Sequence, residues 1–368
     1  MHLRDSISTA RGARGPDAPR VLGVLEGEGV GPEVVRASLR ALSALASVGL
    51  APVEIRRGPG DLGFEKVSAF CEAIFAEGGA VLSGPFGGRF VYDLRRRFDL
   101  FCKLSPIRPS PALYPAARIR PEFLEGIDIV VVRENTGGIY QGRWTERTTP
   151  RGRIAEHAFA YDEAQVRRIL AVGASLAATR RGRMAVIVKP GGIPSVSRLW
   201  CDCAADAARV AGVLATNLDV DYAAYRLVQH PAEVDVIVAP NMLGDILNDL
   251  GAVLLGSRGV SFSGNFSPEG WAVYQTNHGA AKDLAGSDRA NPAAQVLSLA
   301  MLLRESLDLD ESASLLEAAV EDAWRRGYRT FDVAPPGEPA VGTAEMGERI
   351  AESVVRLAAP EGEPLLAG

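Results

Sequence analysis

Along the chain, short continuous apolar runs alternate with longer stretches whose apolar residues recur every three or four positions. The first kind suits strands buried on both faces, the second helices with one buried side. Val21 to Leu25 reads as a strand, followed by a helix over Pro32 to Leu45 with proline just inside its start. On the same grounds Val53 to Arg57, Ala80 to Gly84, Ile127 to Val132, Met184 to Val188, Leu214 to Val220 and Val234 to Ala239 are predicted strands. Helices are predicted over Val67 to Ala76, Asp162 to Ala178, Ser195 to Ala211 and Gln295 to Leu303, and from Asn241 onward. Asp162 fits a cap position, with Val166, Ile169, Leu170 and Leu176 on the buried side of its helix. Such alternation argues for α/β architecture around a largely parallel sheet. Between Gln141 and Ala160 the pattern fails, and Arg, Thr, Gly and Glu predict a protruding hairpin or arm.

Composition narrows the class. A chain of 368 residues has room for two domains or one large α/β unit. A formal charge of −5 argues against general nucleic-acid or anionic-membrane binding, and no apolar run is as long as a membrane span. Met1 to Arg20 lacks the apolar core of a secretory signal and reads as a flexible tail, as do the residues beyond Pro360. A cytoplasmic protein is therefore expected. Cys71, Cys102, Cys201 and Cys203 show no zinc spacing and read as free thiols. Arginine greatly outnumbers lysine, which makes Lys66, Lys103, Lys189 and Lys282 more informative.

The candidate chemistry gathers at strand ends. Asp245 and Asp249 lie one turn apart on an otherwise apolar helix that follows a buried strand. Two carboxylates there suit a hard divalent cation, or else form a solvated acidic face. Asp221, between a strand and a helix, is either an N-cap or a third oxygen ligand. Lys189 ends a strand just before Pro190-Gly191-Gly192, where partial desolvation would lower its pKa toward that of a useful base; a solvated lysine is the bland alternative. Arg133 and Tyr140 flank Glu134-Asn135-Thr136-Gly137-Gly138-Ile139 and suit a carboxylate clamp and a proton donor, against a structural arginine with a surface tyrosine. The turn Gly27-Glu28-Gly29-Val30-Gly31-Pro32 lacks the dinucleotide-binding spacing. The loop His278-Gly279-Ala280-Ala281-Lys282-Asp283 is rich in small residues and could wrap an adenine ribose, with an acidic residue to accept from a free 2′-hydroxyl.

Taken in order, these segments resemble the β-decarboxylating dehydrogenase family, which includes isocitrate, 3-isopropylmalate, homoisocitrate and tartrate/malate dehydrogenases. The resemblance runs from Val21 to Leu303 and rests on Gly27 to Glu33, Leu94-Arg95-Arg96 with Asp99-Leu100-Phe101, Arg133 to Tyr140, Lys189, Asp221, Gly244 to Asp249, and His278-Gly279 through Asn291-Pro292. It implies an isopropylmalate dehydrogenase-like α/β fold, with two domains around a cleft: residues 20–110 with 258–360, and 111–257 with a clasp arm near 141–160. It further implies that Asp221, Asp245 and Asp249 hold Mg²⁺ or Mn²⁺, that Lys189 and Tyr140 move protons, and that Arg95 and Arg133 grip a carboxylate of a substituted malate. His278, Gly279, Ala280, Asp283 and Asn291 would bind the cofactor, with Asp283 pointing to NAD. Lys189 and Asp221 would come from a partner, so a homodimer with shared active sites is expected.

Departures from that pattern bear on substrate. A third arginine usual in a Leu-Arg-Pro stretch is replaced here by Ser105 in Leu104-Ser105-Pro106, so either Arg108 takes over or the grip on the malate core weakens. Pro190-Gly191-Gly192 stands where Ala-Asn is usual. Arg89 occupies a position that meets a charged γ-group in isocitrate enzymes, and with Tyr92 it fits an anionic side arm, carboxylate or phosphonate, better than an isopropyl group. The expected activity is NAD- and metal-dependent oxidative decarboxylation of an isocitrate-like or phosphonomethylmalate-like substrate. The alternatives are a 3-isopropylmalate or tartrate/malate dehydrogenase, or a silent regulatory subunit.

Overall fold

A computed structural model describes residues 2–7, 20–60 and 62–359. Its strands are β1 (Val21–Leu25), β2 (Glu54–Arg57), β3 (Ala80–Ser83), β4 (Cys102–Ile107), β5 (Ile129–Glu134), β6 (Arg143–Thr149), β7 (Gly152–Ala158), β8 (Arg183–Val188), β9 (Leu214–Asp219), β10 (Val236–Ala239), β11 (Phe262–Phe266) and β12 (Ala272–Thr276). The helices are α1 (Gly31–Ser47), α2 (Phe64–Ala76), α3 (Phe90–Arg97), α4 (Glu163–Ala178), α5 (Pro194–Ala211), α6 (Val220–Gln229), α7 (Asn241–Leu254), α8 (Ala293–Leu307), α9 (Asp310–Arg325) and α10 (Thr343–Ala358). Local chemistry sets several of these ends. The Asp162 carboxylate accepts from the Gln165 amide at 2.8 Å and so caps α4, and Gly212 at φ 68° closes α5.

Ten strands form one sheet in the order β2-β1-β3-β12-β11-β4-β5-β10-β8-β9. Pairing is parallel on both flanks, as the alternation predicts, but antiparallel from β12 through β11 and β4 to β5. The carboxyl ends of β1, β3 and β12 lie at one edge of the sheet, and those of β5, β10 and β8 at the other. Helix α3 leaves the first edge after β3 and ends where β4 begins, beside the carboxyl end of β5. Eight residues at about 1.5 Å per residue span roughly 12 Å, so Arg89 at its start and Arg95 near its end are carried from one edge toward the other.

The sheet is buried where its strands are most apolar. Every residue of β1, β3, β5 and β10 is buried, and α1, α4 and α8 cover the faces with one continuous apolar cluster. The predicted arm is a separate two-stranded hairpin, β6 and β7, almost wholly exposed. The predicted N-terminal tail is shorter than expected: Leu3–Ser6 form a 3-10 turn, and the Arg4 amide donates to the Glu305 carboxylate at 3.1 Å. Residues 8–19 and the expected tail beyond Pro360 lie outside the described residues. Cys71, Cys102, Cys201 and Cys203 are free thiols. Among the described residues no helix is long and apolar enough to cross a membrane.

One close approach ties the N-terminal turn to the His278 loop. The Val30 amide donates to the Ala280 carbonyl at 2.9 Å, and Gly29 has φ +60° with space for a Cβ closed by that same carbonyl at 1.8 Å. Gly49 also has positive φ, +79°, but opens onto nothing within 4 Å. Gly49→Ala should therefore cost only the left-handed penalty of about 1–2 kcal/mol, and Gly29→Ala clearly more, measured by urea unfolding. Equal costs would remove the close approach from the account.

Candidate active site

Strand β5 delivers Arg133 to the sheet edge, and β10, in register with it at Ala239 opposite Arg133, delivers the first turn of α7 above it. The guanidinium is 2 % exposed. Its Nε and Nη2 donate to Asn241 Oδ1 at 3.1 and 2.8 Å, and Nη1 donates to Asp245 Oδ1. Asn241 Nδ2 in turn donates to the Gly137 carbonyl at 2.9 Å, which fixes the amide's orientation. A side chain at Gly244 would meet the Arg133 Cγ at 3.0 Å, so a glycine lets the stem of the arginine pass under the helix. The Tyr140 hydroxyl donates to the other oxygen of Asp245 at 3.0 Å. Sequence reasoning named Arg133, Tyr140 and Asp245 separately; the structure joins them in one network.

The electrostatics follow from that network. Burial opposes charge on Asp245, but Arg133, Lys103, the Tyr140 hydroxyl and Arg95 outweigh it and hold the carboxyl below the usual carboxylate range. Burial, then the charge of Asp245, raises the Tyr140 pKa, so the phenol keeps its proton. Arg95, 5 % exposed, sits at the end of α3, and its side chain makes no hydrogen bond among the described residues; its Nε is buried without a partner. Burial and neighbouring Arg133 both push its pKa down.

Lys189 and Asp221 form a second cluster. The Lys189 ammonium donates to Asp221 at 2.6 Å and to Asp219 at 3.3 Å. These contacts raise its pKa, mainly through the Asp221 hydrogen bond, which corrects the expectation of a desolvated lysine with a lowered one. Asp221 lies in the first turn of α6, whose N-cap is Asp219. Asp249 pairs with Arg258 at 3.0 Å. Among the described residues no three acidic, cysteine or histidine side chains stand close enough to hold a metal ion. Asp245 and Asp249 offer two half-exposed carboxylates on one helix face, a donor set that suits a hard cation, but within one chain Asp221 does not join them.

At the opposite sheet edge the expected cofactor residues surround the Gly29 contact. Ala280 is buried against it, Gly279 and Asp283 are exposed, and Lys282 pairs with Glu28 at 3.1 Å. The His278 Nδ1 lies 2.9 Å from the Gly279 carbonyl, and burial lowers the imidazole pKa. Asn291 is committed to structure: its Oδ1 accepts from the Ala293 amide at 2.9 Å at the start of α8, and its Nδ2 donates to Asp332 at 3.1 Å.

Arg89 lies beside the Tyr140 network. Its Nη1 donates to the Tyr140 carbonyl at 3.3 Å, and its guanidinium packs over the rings of Trp144 at 4.7 Å and Tyr92 at 5.8 Å. Trp144, from the arm, is a contact that sequence reasoning missed, because a lone aromatic in an exposed hairpin carries no spacing signal. Arg108 is a correction. In the β4–β5 pairing Lys103 stands opposite Arg133 while Ile107 stands opposite Ile129, so Arg108 leaves the strand at the far end. There it is exposed and pairs with Asp128 at 2.8 Å. Lys103, 3 % exposed, occupies the site end instead, which was also missed.

With this geometry in hand, comparison with known proteins is informative. The sequence model of the isocitrate/isopropylmalate dehydrogenase family matches residues 21–350. A 3-isopropylmalate dehydrogenase from Carboxydothermus hydrogenoformans is 36 % identical, over 93 % of this chain and 96 % of that protein. One from Synechococcus sp. (strain JA-3-3Ab) is 38 % identical, over 92 % and 94 %. The crystal structure of isocitrate dehydrogenase from Methylococcus capsulatus superposes with a TM-score of 0.80 at 26 % identity, covering 91 % of this chain and 99 % of that one.

The charge of Asp245 can be tested directly. Its folded pKa lies below the unfolded value of about 3.9, so its ion pair adds stability above that value and loses it as pH falls through the folded pKa. In EDTA, Asp245→Asn should lower the melting temperature at pH 7, with the gap to wild type closing below about pH 4. A gap undiminished at about pH 3 would show that the charge does not hold Arg133.

Proposed function

Since the chain belongs to the isocitrate/isopropylmalate dehydrogenase family and is thus a decarboxylating dehydrogenase, we propose that it oxidises and decarboxylates a 3-substituted malate with an anionic side arm, using NAD and Mg²⁺ or Mn²⁺. The observation that carries the side-arm assignment is Arg89, held over Trp144 and Tyr92 beside the Tyr140 carbonyl. An aromatic seat reduces the freedom of the guanidinium before binding and favours recognition of a carboxylate or phosphonate.

Arg95 and Arg133 bind a carboxylate of the malate core. Arg95 has no protein anion of its own, and a bound carboxylate would offset the cost of burying it. Tyr140, kept protonated beside Asp245, donates to the carbon that loses CO₂. Asp245 and Asp249 would hold the cation together with Asp221 of a second copy, and His278, Gly279, Ala280 and Asp283 would bind NAD. When bound, NAD would accept hydride and the cation would withdraw charge from the substrate oxygens. Lys189 would receive the hydroxyl proton only in its neutral form, which loss of its first partner, the Asp221 carboxylate, would favour.

The homodimer is part of the same reading. Helices α6 and α7 expose Tyr222, Tyr225, Ile246 and Val253, apolar side chains that a second copy would cover. So is the division into a cofactor unit (20–110 with 258–360) and a second unit (111–257). A second substrate, 3-isopropylmalate, is favoured by the names of the relatives at 36–38 % identity.

A panel of malates with NAD and Mn²⁺, followed by NADH absorbance, separates the two. Anionic arms should be preferred, and Arg89→Leu should raise KM for them by about tenfold or more without improving uncharged substrates. Faster turnover of 3-isopropylmalate than of every anionic analogue would refute the side-arm assignment.

A further inference from the structure

Lys103 is the buried cation with no assigned role. It is 3 % exposed, yet its side chain makes no hydrogen bond or ion pair among the described residues. Its flanking residues Cys102 and Leu104 belong to the apolar core, so Lys103 and Ser105 share the other face of β4. The register places Lys103 between Arg133 on β5 and Asn265 on β11. Both amide groups of that neighbour are engaged: Asn265 Oδ1 accepts from Asn135 at 2.9 Å, and its Nδ2 donates to the Val273 carbonyl at 3.0 Å. The carboxylates that feel its charge make their contacts elsewhere in this structure, Asp245 with Arg133 and Tyr140, and Asp249 with Arg258. Burial and the repulsion of Arg95 and Arg133 both disfavour the ammonium.

Two buried basic side chains, Arg95 and Lys103, thus stand beside Arg133 without an anion of their own among the described residues, and a charge on Lys103 would be uncompensated. Uncompensated charge of this kind is expensive, and removing it would ordinarily stabilise a fold. It makes sense where an anion arrives from outside. Resting on the malate-type substrate proposed above, we propose that Lys103 is a substrate-binding residue whose ammonium binds an acidic group of the malate core, together with Arg95 and Arg133. It stands on the same strand face two residues before Ser105, where the family resemblance leads to the expectation of an arginine. The four-carbon stem lets a lysine starting nearer the strand end reach the same anion. Arg108, paired with Asp128 at the far end of β4, is not needed for it.

The contact is to the core shared by all malates, which separates it from Arg89. Calorimetric titration of the full-length protein with malate, isocitrate and 3-isopropylmalate in the presence of Mn²⁺ provides the test. Lys103→Met should weaken all three by a similar factor, about tenfold or more, with no loss in melting temperature. Lys103→Gln serves if the Met variant does not fold. Adding Ser105→Arg to either should restore much of the affinity. Affinities within about twofold of wild type, or a loss confined to the substrate with the anionic arm, would overturn the assignment. A wild type that binds malates through Lys103 but transfers no hydride would support Lys103 and overturn the proposed reaction; one that binds none would overturn both.

Discussion

The site depends on the anchoring of one buried guanidinium. Arg133 reaches the sheet edge through a strand with no exposed residue, and it must find acceptors there or destabilise the fold. It finds them in the first turns of α7, at Asn241 and Asp245. That clamp sets the helix on the sheet, explains the glycine at Gly244, and leaves one oxygen of Asp245 facing the Tyr140 hydroxyl. The clamp thus fixes the position of Asp245, which Arg133, Lys103, Tyr140 and Arg95 together keep ionised.

The reversal in the middle of the sheet does the complementary work. It separates the loop edge bearing His278 from the edge bearing Arg133, and α3 runs between them with Arg89 and Arg95. A substrate seated on Arg95 and Arg133 would therefore present its side arm toward Arg89 and the arm's Trp144. Lys189 and Asp221 remain outside this arrangement and satisfy each other. A working site would therefore combine the Arg133 cluster of one copy with the Lys189 cluster of another.

Much of this was legible in the sequence because the outer strands and their helices follow simple periodicity. β1 was predicted to the residue, and α4 with its Asp162 cap to within one. Strands β4, β11 and β12 were not predicted. β4 alternates only from Cys102 to Ser105 before Pro106 breaks the pattern, and β11 reads Phe-Ser-Gly-Asn-Phe, so neither carries a full strand signal. Their pairing is decided by neighbours, not by propensity. The antiparallel centre was invisible for that reason, and with it the register that puts Lys103, rather than Arg108, opposite Arg133. The pKa of Lys189 was misjudged because its partner Asp221 lies 32 residues away on another element.

Subunit complementation tests whether each site is shared between two copies. Tyr140→Phe and Lys189→Ala proteins, each inactive alone, are unfolded, mixed in equal amounts and refolded. If each site draws its two residues from different copies, half of the dimers are mixed and each has one intact site, so about one quarter of wild-type activity returns. Shared sites predict that recovery. A mixture as inactive as its components, despite confirmed exchange of subunits, would place both residues in the site of a single chain and contradict the account.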